Sequence, residues 1–398
     1  MAQDATEAGV RPADSGRRIQ EVDALRGFAL GGILLVNALV MAGVPALPDD
    51  TPGLVAKGLV TAFVETKFYL LFSFLFGYSF VLQQESAERA GARFVPRMLR
   101  RLLGLFVLGL LHIALLYTGD ILTMYALLGL ILLAARGASP GRLWTAARWV
   151  QTVTSALLLA FAALVTLVPD GGTETDQAEE TARLTAGYRG GPADIIATHL
   201  AAWPDVVGAL LFAGGLVTAA FLAGAAAGKR RLLAGDALGT DRLRRIRTYG
   251  LLCGLPGSLL MAAGATGVLP ARWGTLAFVA GMVTAPALTA AYGSALLLWM
   301  RTPRGAATRR LLAPAGRMAL TGYLTQSLVM ALVFTGYGLA LYGRVDAVAV
   351  LAGALALYAG QLLLSGWLMR RFRLGPVEWL LRAVTLAGRP HGGDRTRR

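Results

Sequence analysis

Long apolar runs recur along almost the whole of this chain, and they leave it few ways to fold. A membrane helix needs about 20 mostly apolar residues. Backbone groups in lipid must find their hydrogen bonds inside the segment or in a closed barrel, so runs of this length predict helices. About ten runs qualify, near 22–45, 55–82, 102–117, 121–135, 145–168, 205–227, 249–268, 273–299, 314–341 and 346–369. With 56% hydrophobic and only 15% charged residues, 398 residues cannot cover a water-soluble surface. The expected fold is all-α, a polytopic membrane helix bundle of about ten transmembrane helices.

The formal charge of +15, from 38 Lys+Arg against 23 Asp+Glu, first suggests a nucleic-acid partner. Its placement argues otherwise, because the cations gather in alternate connections. Arg89, Arg93, Arg97, Arg100 and Arg101 follow the second run, Arg136, Arg142 and Arg148 the fourth, and "KRRLLAGDALGTDRLRRIR" and "RTPRGAATRR" the sixth and eighth. The intervening connections read "PALPDD", "TGD", "DGGTETDQAEE", "PARWG" and "YGRVDA". Basic connections face the cytoplasm, so both termini are expected there, in a multi-pass protein of the plasma membrane. Anionic lipid is the expected partner of the basic charge and nucleic acid is not.

Residues 1–20 are expected to form a disordered basic tail, 21–372 a single transmembrane helical domain, and 373–398 a basic cytoplasmic tail. The first apolar run is too long for the h-region of a signal peptide and is read as a retained span. A single Cys253 excludes an internal disulfide and any cysteine metal cluster, and His112, His199 and His391 have no metal-ligand spacing, so no metal is expected. Gly224–Gly228 and Gly250–Gly254 have the four-residue spacing of closely packed membrane helices.

Ionisable groups inside spans are costly and mark functional positions. Asp23 and Arg26, three apart, share a helix face and can pair. Asn37 lies further along the same run. Glu65 and Lys67, two apart, point in different directions and suit two partners. His112 falls beyond the midplane of its run; the "TGD" turn then brings Asp120 and Tyr125 to a similar level, where Asp120 also suits a helix N-cap. A neutral imidazole at that depth can act as base or acyl acceptor. In the later runs Arg317 is followed by Tyr323 and Gln326, with Gln361 beyond; these either bond helices together or line a cavity.

"RRIQEVDALRGFALGGILLVN", "FVETKFYLLFSFLFGYSF" and "YTGDILTMYALLG" resemble, in order, motifs of the YeiB / DUF418 family. "GRMALTGYLTQSL", "GYGLALYGRV" and "GPVEWLLRAVT" resemble its C-terminal half, taken as about residues 230–387. The resemblance spans about 18–387 and implies kinship with membrane acyltransferases of the heparan-alpha-glucosaminide N-acetyltransferase kind. In those enzymes cytosolic acetyl-CoA donates an acyl group across the membrane with the help of an intramembrane histidine. That histidine precedes the second-span motif, where this chain has Glu65 instead, so the assignment of His112 rests on this chain's own residues.

The expected function is acyl transfer from acetyl-CoA or another acyl-CoA, a co-substrate and not a resident cofactor. The acceptor is a hydroxyl or amine on an envelope glycan, a lipid or an exported small molecule. His112 is the expected catalytic group, oriented by Glu65 or Asp120. Arg26 and Arg317 are expected to receive the phosphates of coenzyme A. Asp23, Asn37, Lys67, Tyr125, Tyr323 and Gln326 are expected along the passage. A proton-coupled transporter or exporter is the alternative, and assembly into a homo-oligomer is compatible with either.

Overall fold

The computed structural model describes residues 12–45, 47–167 and 174–386, with side chains described from residue 20 onward and, beyond the second gap, from 178. Of the two expected tails, 1–11 and 387–398, including His391, lie outside the described residues; helix begins already at Pro12, and Pro376–Leu386 of the expected C-terminal tail is helical as well. Every regular element described is helical: α1 Pro12–Met41, α2 Thr51–Phe63, α3 Lys67–Arg89, α4 Phe94–Leu115, α5 Leu122–Ala134, α6 Pro140–Leu167, α7 Glu174–Arg189, α8 Pro192–Ala201, α9 Trp203–Lys229, α10 Thr240–Ala265, α11 Gly274–Met300, α12 Gly305–Arg317, α13 Ala319–Phe334, α14 Ala347–Arg371 and α15 Pro376–Leu386, with two short 3-10 turns.

Among these, eight stretches are long and apolar enough to cross a membrane: the N-terminal helix from Gln20, α2 with α3, α4, α6, α9, α10, 271–300 and α14. The outward faces of α6, α9 and α14 carry Leu157, Leu211 and Leu363, each more than three-fifths exposed. Leucines so exposed on long helices suit lipid tails and would be an aggregation hazard in water.

Two of the expected continuous spans are broken. The run near 55–82 is interrupted at Val64–Thr66, where Thr66 has a φ of 70°, a conformation that β-branched residues avoid. The run near 314–341 begins earlier, at Gly305, and bends by 78° at Met318 between α12 and α13. Pro314, which has no N–H to give the preceding turn, stands just before that bend. The fourth run forms the 13-residue α5, shorter than a full crossing. The acidic connection contains two helices, α7 and α8.

Close backbone packing fixes the arrangement. Gly27 of α1 lies against the carbonyl of Leu312 of α12, and Gly316 against that of Asp23, so neither position has space for a Cβ. The spaced glycines do what their spacing suggests. Gly224 abuts the Phe74 carbonyl of α3, and a Cβ on Gly254 would meet Leu288 N of α11 at 2.7 Å. The result is a bundle in which α1 packs against α3 on one side and against the late helices α12, α13 and α14 on the other, while α3 also packs against α9 and α11.

Candidate functional site

The last turn of α4 carries His112 inward, and the turn into α5 brings Asp120 beside it. His112 Nδ1 and Asp120 Oδ1 lie 3.1 Å apart with both side chains fully buried. The two atoms face each other without forming a hydrogen bond. The other carboxylate oxygen, Asp120 Oδ2, accepts from Thr123 N at 2.6 Å. Asp120 therefore caps the start of α5 and faces the imidazole with the same carboxylate.

The opposite ring nitrogen, His112 Nε2, is 2.8 Å from Ser327 Oγ on α13. That hydroxyl has a second acceptor, the Tyr323 carbonyl at 3.3 Å, so it can give its proton to either. The Tyr323 ring packs 4.9 Å from the imidazole, and the Tyr323 hydroxyl donates to the Gly119 carbonyl at 3.4 Å. Asp120, His112 and Ser327 thus form a buried acid–base–hydroxyl chain joining the α4–α5 turn to the broken helix.

Two cavities flank this chain. One, of about 380 Å³, opens among Asp23, Arg26, Arg101, Arg317 and Glu378, at the end of the bundle where the arginine-rich connections lie. The other, of about 400 Å³, is lined by Asn37, Thr66, Tyr69, Asp120 and Thr123. Ile33, Ile121 and Tyr125 line both, so these three side chains form the partition. Tyr125 is held in place by Ser73 Oγ at 2.7 Å and by donation to the Tyr69 carbonyl at 3.1 Å.

The arginine-lined cavity is ordered by specific bonds. Arg26 donates to Asp23 Oδ1 and to Ser79 Oγ, each at 2.7 Å, and to the Gly316 carbonyl at 3.3 Å. Glu378 of α15 accepts from the backbone N–H groups of Leu320 and Thr321 at 2.7 and 3.0 Å, satisfying the exposed start of α13. Arg317 reaches the Arg373 carbonyl at 2.8 Å. Arg101 lines the cavity with its Nε buried and without a hydrogen-bond partner. After these pairings, Arg101 and Arg317 remain without a bonded carboxylate among the described residues.

Most of the candidate residues gather here, with three corrections. Glu65 does not orient His112: it sits at the α2–α3 break, where Thr61, Lys67 and Lys57 are its electrostatic neighbours. The break turns it away because Thr66 reverses the backbone there. Gln326 is not in the passage either. Its amide donates to Gln361 Oε1 at 2.8 Å, and Gln361 returns to the Gly322 carbonyl, so the pair ties α13 to α14. Lys67 neither snorkels nor lines a cavity; it is completely buried and its ammonium donates to the Thr61 carbonyl at 3.0 Å, among the last carbonyls of α2.

Sequence reading missed Ser327, Ser79 and Glu378 as site residues and took Arg101 only as a topological charge. Glu378 lies within the motif "GPVEWLLRAVT", which was the available signal. Ser327 lies within "GRMALTGYLTQSL", the same kind of signal, but one serine in an apolar run is otherwise ordinary.

At one end α8 packs over α4, and α7 against α8. His199 of α8 is buried, and its Nδ1 is 3.1 Å from the Ala114 carbonyl. Burial lowers its pKa below 6.5; the Ala114 carbonyl opposes this and nearby His112 adds to it. Tyr188 of α7 stacks on Tyr342 at 4.7 Å, while burial raises its own pKa to about 12.

A helical membrane bundle with a buried histidine–carboxylate pair, whose carboxylate lines one of two adjoining cavities, is the class that fold and site define. Residues 18–167 match the family model described as heparan-alpha-glucosaminide N-acetyltransferase, catalytic, and residues 227–388 match that of DUF418. YxaH of Bacillus subtilis is 32% identical over 95% of this chain and 96% of its own, and YeiB of Escherichia coli is 31% identical over 92% and 95%. A 39.9 kDa protein from the amylase 3' region of Bacillus acidopullulyticus is 28% identical over 94% and 95%. The chain belongs to the DUF418 family. His112 and Asp120 fall in the first matched region and Ser327 in the second, so the site forms where the two meet.

Proposed function

We propose that this protein is a plasma-membrane acyltransferase that takes an acyl group from acyl-CoA and passes it to a hydroxyl or amine acceptor on the other side. The observation that carries the reading is the pair of cavities divided by Ile33, Ile121 and Tyr125, with the His112–Asp120 pair beside the partition. The match of 18–167 to a catalytic acetyltransferase region supports group transfer over transport.

In this reading both termini and the arginine-lined cavity face the cytoplasm, and α5 and the bent α12–α13 pair complete ten crossings. Arg26, Arg101 and Arg317 supply fixed positive charge for the phosphates of coenzyme A. The acceptor, an envelope glycan, a lipid or an exported small molecule, enters the cavity lined by Asn37 and Thr123. Acceptor oxygen or nitrogen attacks the thioester carbon, the C–S bond breaks, and the acceptor's proton passes through His112 to the departing thiolate. Asp120 stabilises the imidazolium formed on the way. Ser327 frees Nε2 by turning its hydroxyl to the Tyr323 carbonyl.

The deciding experiment incubates purified protein with radiolabelled acetyl-CoA and a membrane extract. Label is expected on an acceptor with wild type and not with His112→Ala. Absence of both coenzyme A binding and labelling by folded wild-type protein would sink the proposal.

A further inference from the structure

Helix α3 has two working faces. Phe72, Phe76 and Ser79 look into the arginine-lined cavity, while Leu70, Leu71, Phe74 and Leu75 look the opposite way, into a separate space of about 720 Å³ closed by α6, α9, α10 and α11. A volume of that size falls in the range that holds small ligands. It shares no lining residue with the two cavities of the reaction site. Its walls owe their retreat to small side chains, Ala219, Ala220, Ala223 and Ala226 on α9 and Gly293 on α11. A Cβ built on Gly293 would meet only Leu71, at 3.8 Å, so the space beside it is open.

The interior is apolar, but one end is not. Arg148 of α6, Arg230 just after α9 and Arg242 of α10 stand together at its rim. Neighbouring cations are engaged: Lys229 caps the carbonyls of Arg136 and Ala138, Arg231 pairs with Glu85 at 3.0 Å, and Arg301 with Asp236 at 3.6 Å. The side chains of Arg148, Arg230 and Arg242 make no hydrogen bond or ion pair among the described residues. Through Arg242, Ile246 and Ala290 the space continues into a groove along α10 and α11, past Tyr249 and Cys253, both exposed on the lipid-facing side.

We propose that this space is a binding site for an anionic membrane phospholipid, with acyl chain in the apolar interior and phosphate on Arg148, Arg230 and Arg242. Three unneutralised guanidinium groups at the mouth of an apolar chamber match a molecule that carries negative charge at one end only. A zwitterionic lipid would set its own ammonium against the same arginines. The groove along α10 and α11 lets the lipid enter sideways from the bilayer. This site is independent of the acyl-transfer reading and stands or falls without it.

The test is native mass spectrometry of the full-length protein, stripped of lipid in detergent and offered dioleoyl phosphatidylglycerol or dioleoyl phosphatidylcholine. One phosphatidylglycerol should be retained, at least about tenfold more strongly than phosphatidylcholine, and replacing the three arginines by glutamine should abolish the preference. Gly293→Leu fills the chamber without touching charge and should expel the lipid, whereas Gly353→Leu, on a site with no atom within 4 Å, should not. Should Gly293→Leu misfold, Ala223→Leu fills the same space from α9. Equal retention of both lipids, retention of phosphatidylglycerol by folded chamber-filled variants, or preferential uptake of oleate in place of phospholipid would each overturn the proposal.

Discussion

His112 Nε2 and Ser327 Oγ, 215 residues apart in the chain, lie 2.8 Å from one another inside the bundle. The bond ties the last turn of α4 to the middle of α13, so the imidazole is positioned by both halves of the chain. Under the proposed mechanism, His112→Ala should lower acyl transfer by about 10²–10⁴-fold, the usual contribution of a general base. Ser327→Ala should cost less, because Asp120 still faces Nδ1. Initial rates with labelled acetyl-CoA check the order; a Ser327→Ala loss equal to that of His112→Ala would instead make the hydroxyl a direct participant.

Tyr125 separates the two cavities, and its hydroxyl is fastened by Ser73 and the Tyr69 carbonyl. Tyr125→Ala should join them and let water reach the thioester. Hydrolysis of acetyl-CoA without acceptor should rise, measurable as free thiol release, while transfer to acceptor falls. Tyr125→Phe keeps the ring and should leave hydrolysis near the wild-type level.

Lys67 is completely buried and serves the C-terminal carbonyls of α2, which Tyr292 also caps through the Phe63 carbonyl at 2.9 Å. Lys67→Met keeps much of the side-chain volume but strands the Thr61 carbonyl. A loss of about 1–3 kcal/mol is expected from the unsatisfied acceptor alone, read as a lowered Tm in detergent.

Gly316 has the Asp23 carbonyl where a Cβ would stand. Gly316→Ala must therefore push α12 from α1 and loosen the Arg26 bond to the Gly316 carbonyl. Overpacking of this kind costs about 1–3 kcal/mol. Thermal unfolding should show that loss, and coenzyme A binding should weaken with it.

His199 is buried against α4 with a pKa below 6.5. The unfolded chain binds this proton more readily, so the stability of the docked α8 is full above 6.5 and is lost as pH falls through that value toward the lowered one. His199→Gln should flatten this part of the profile. Hydrogen exchange of α7 and α8 between pH 7.5 and 5.5 gives the readout.

The helical class and the long apolar segments were legible because a lipid-facing helix must declare itself over about 20 consecutive residues. The Asp23–Arg26 pair was legible because three-residue spacing places both on one helix face, and the His112–Asp120 meeting followed from the short turn between them. The breaks at Thr66 and Met318 were not legible, since hydropathy averages across a kink. For the same reason Glu65 was offered beside Asp120 as the group orienting His112, and Gln326 as part of a passage, when the break and the Gln361 bond direct them elsewhere.

Sequence by itself determined that this chain forms membrane helices and which polar groups they carry, because those properties are local and periodic. Only tertiary structure decided that Ser327 meets His112, that Arg101 faces a cavity, and that Tyr125 stands between two chambers. Such relationships depend on where α12 crosses α1 and where α13 bends away. Close backbone contacts between distant segments set those positions, and no stretch of sequence contains them.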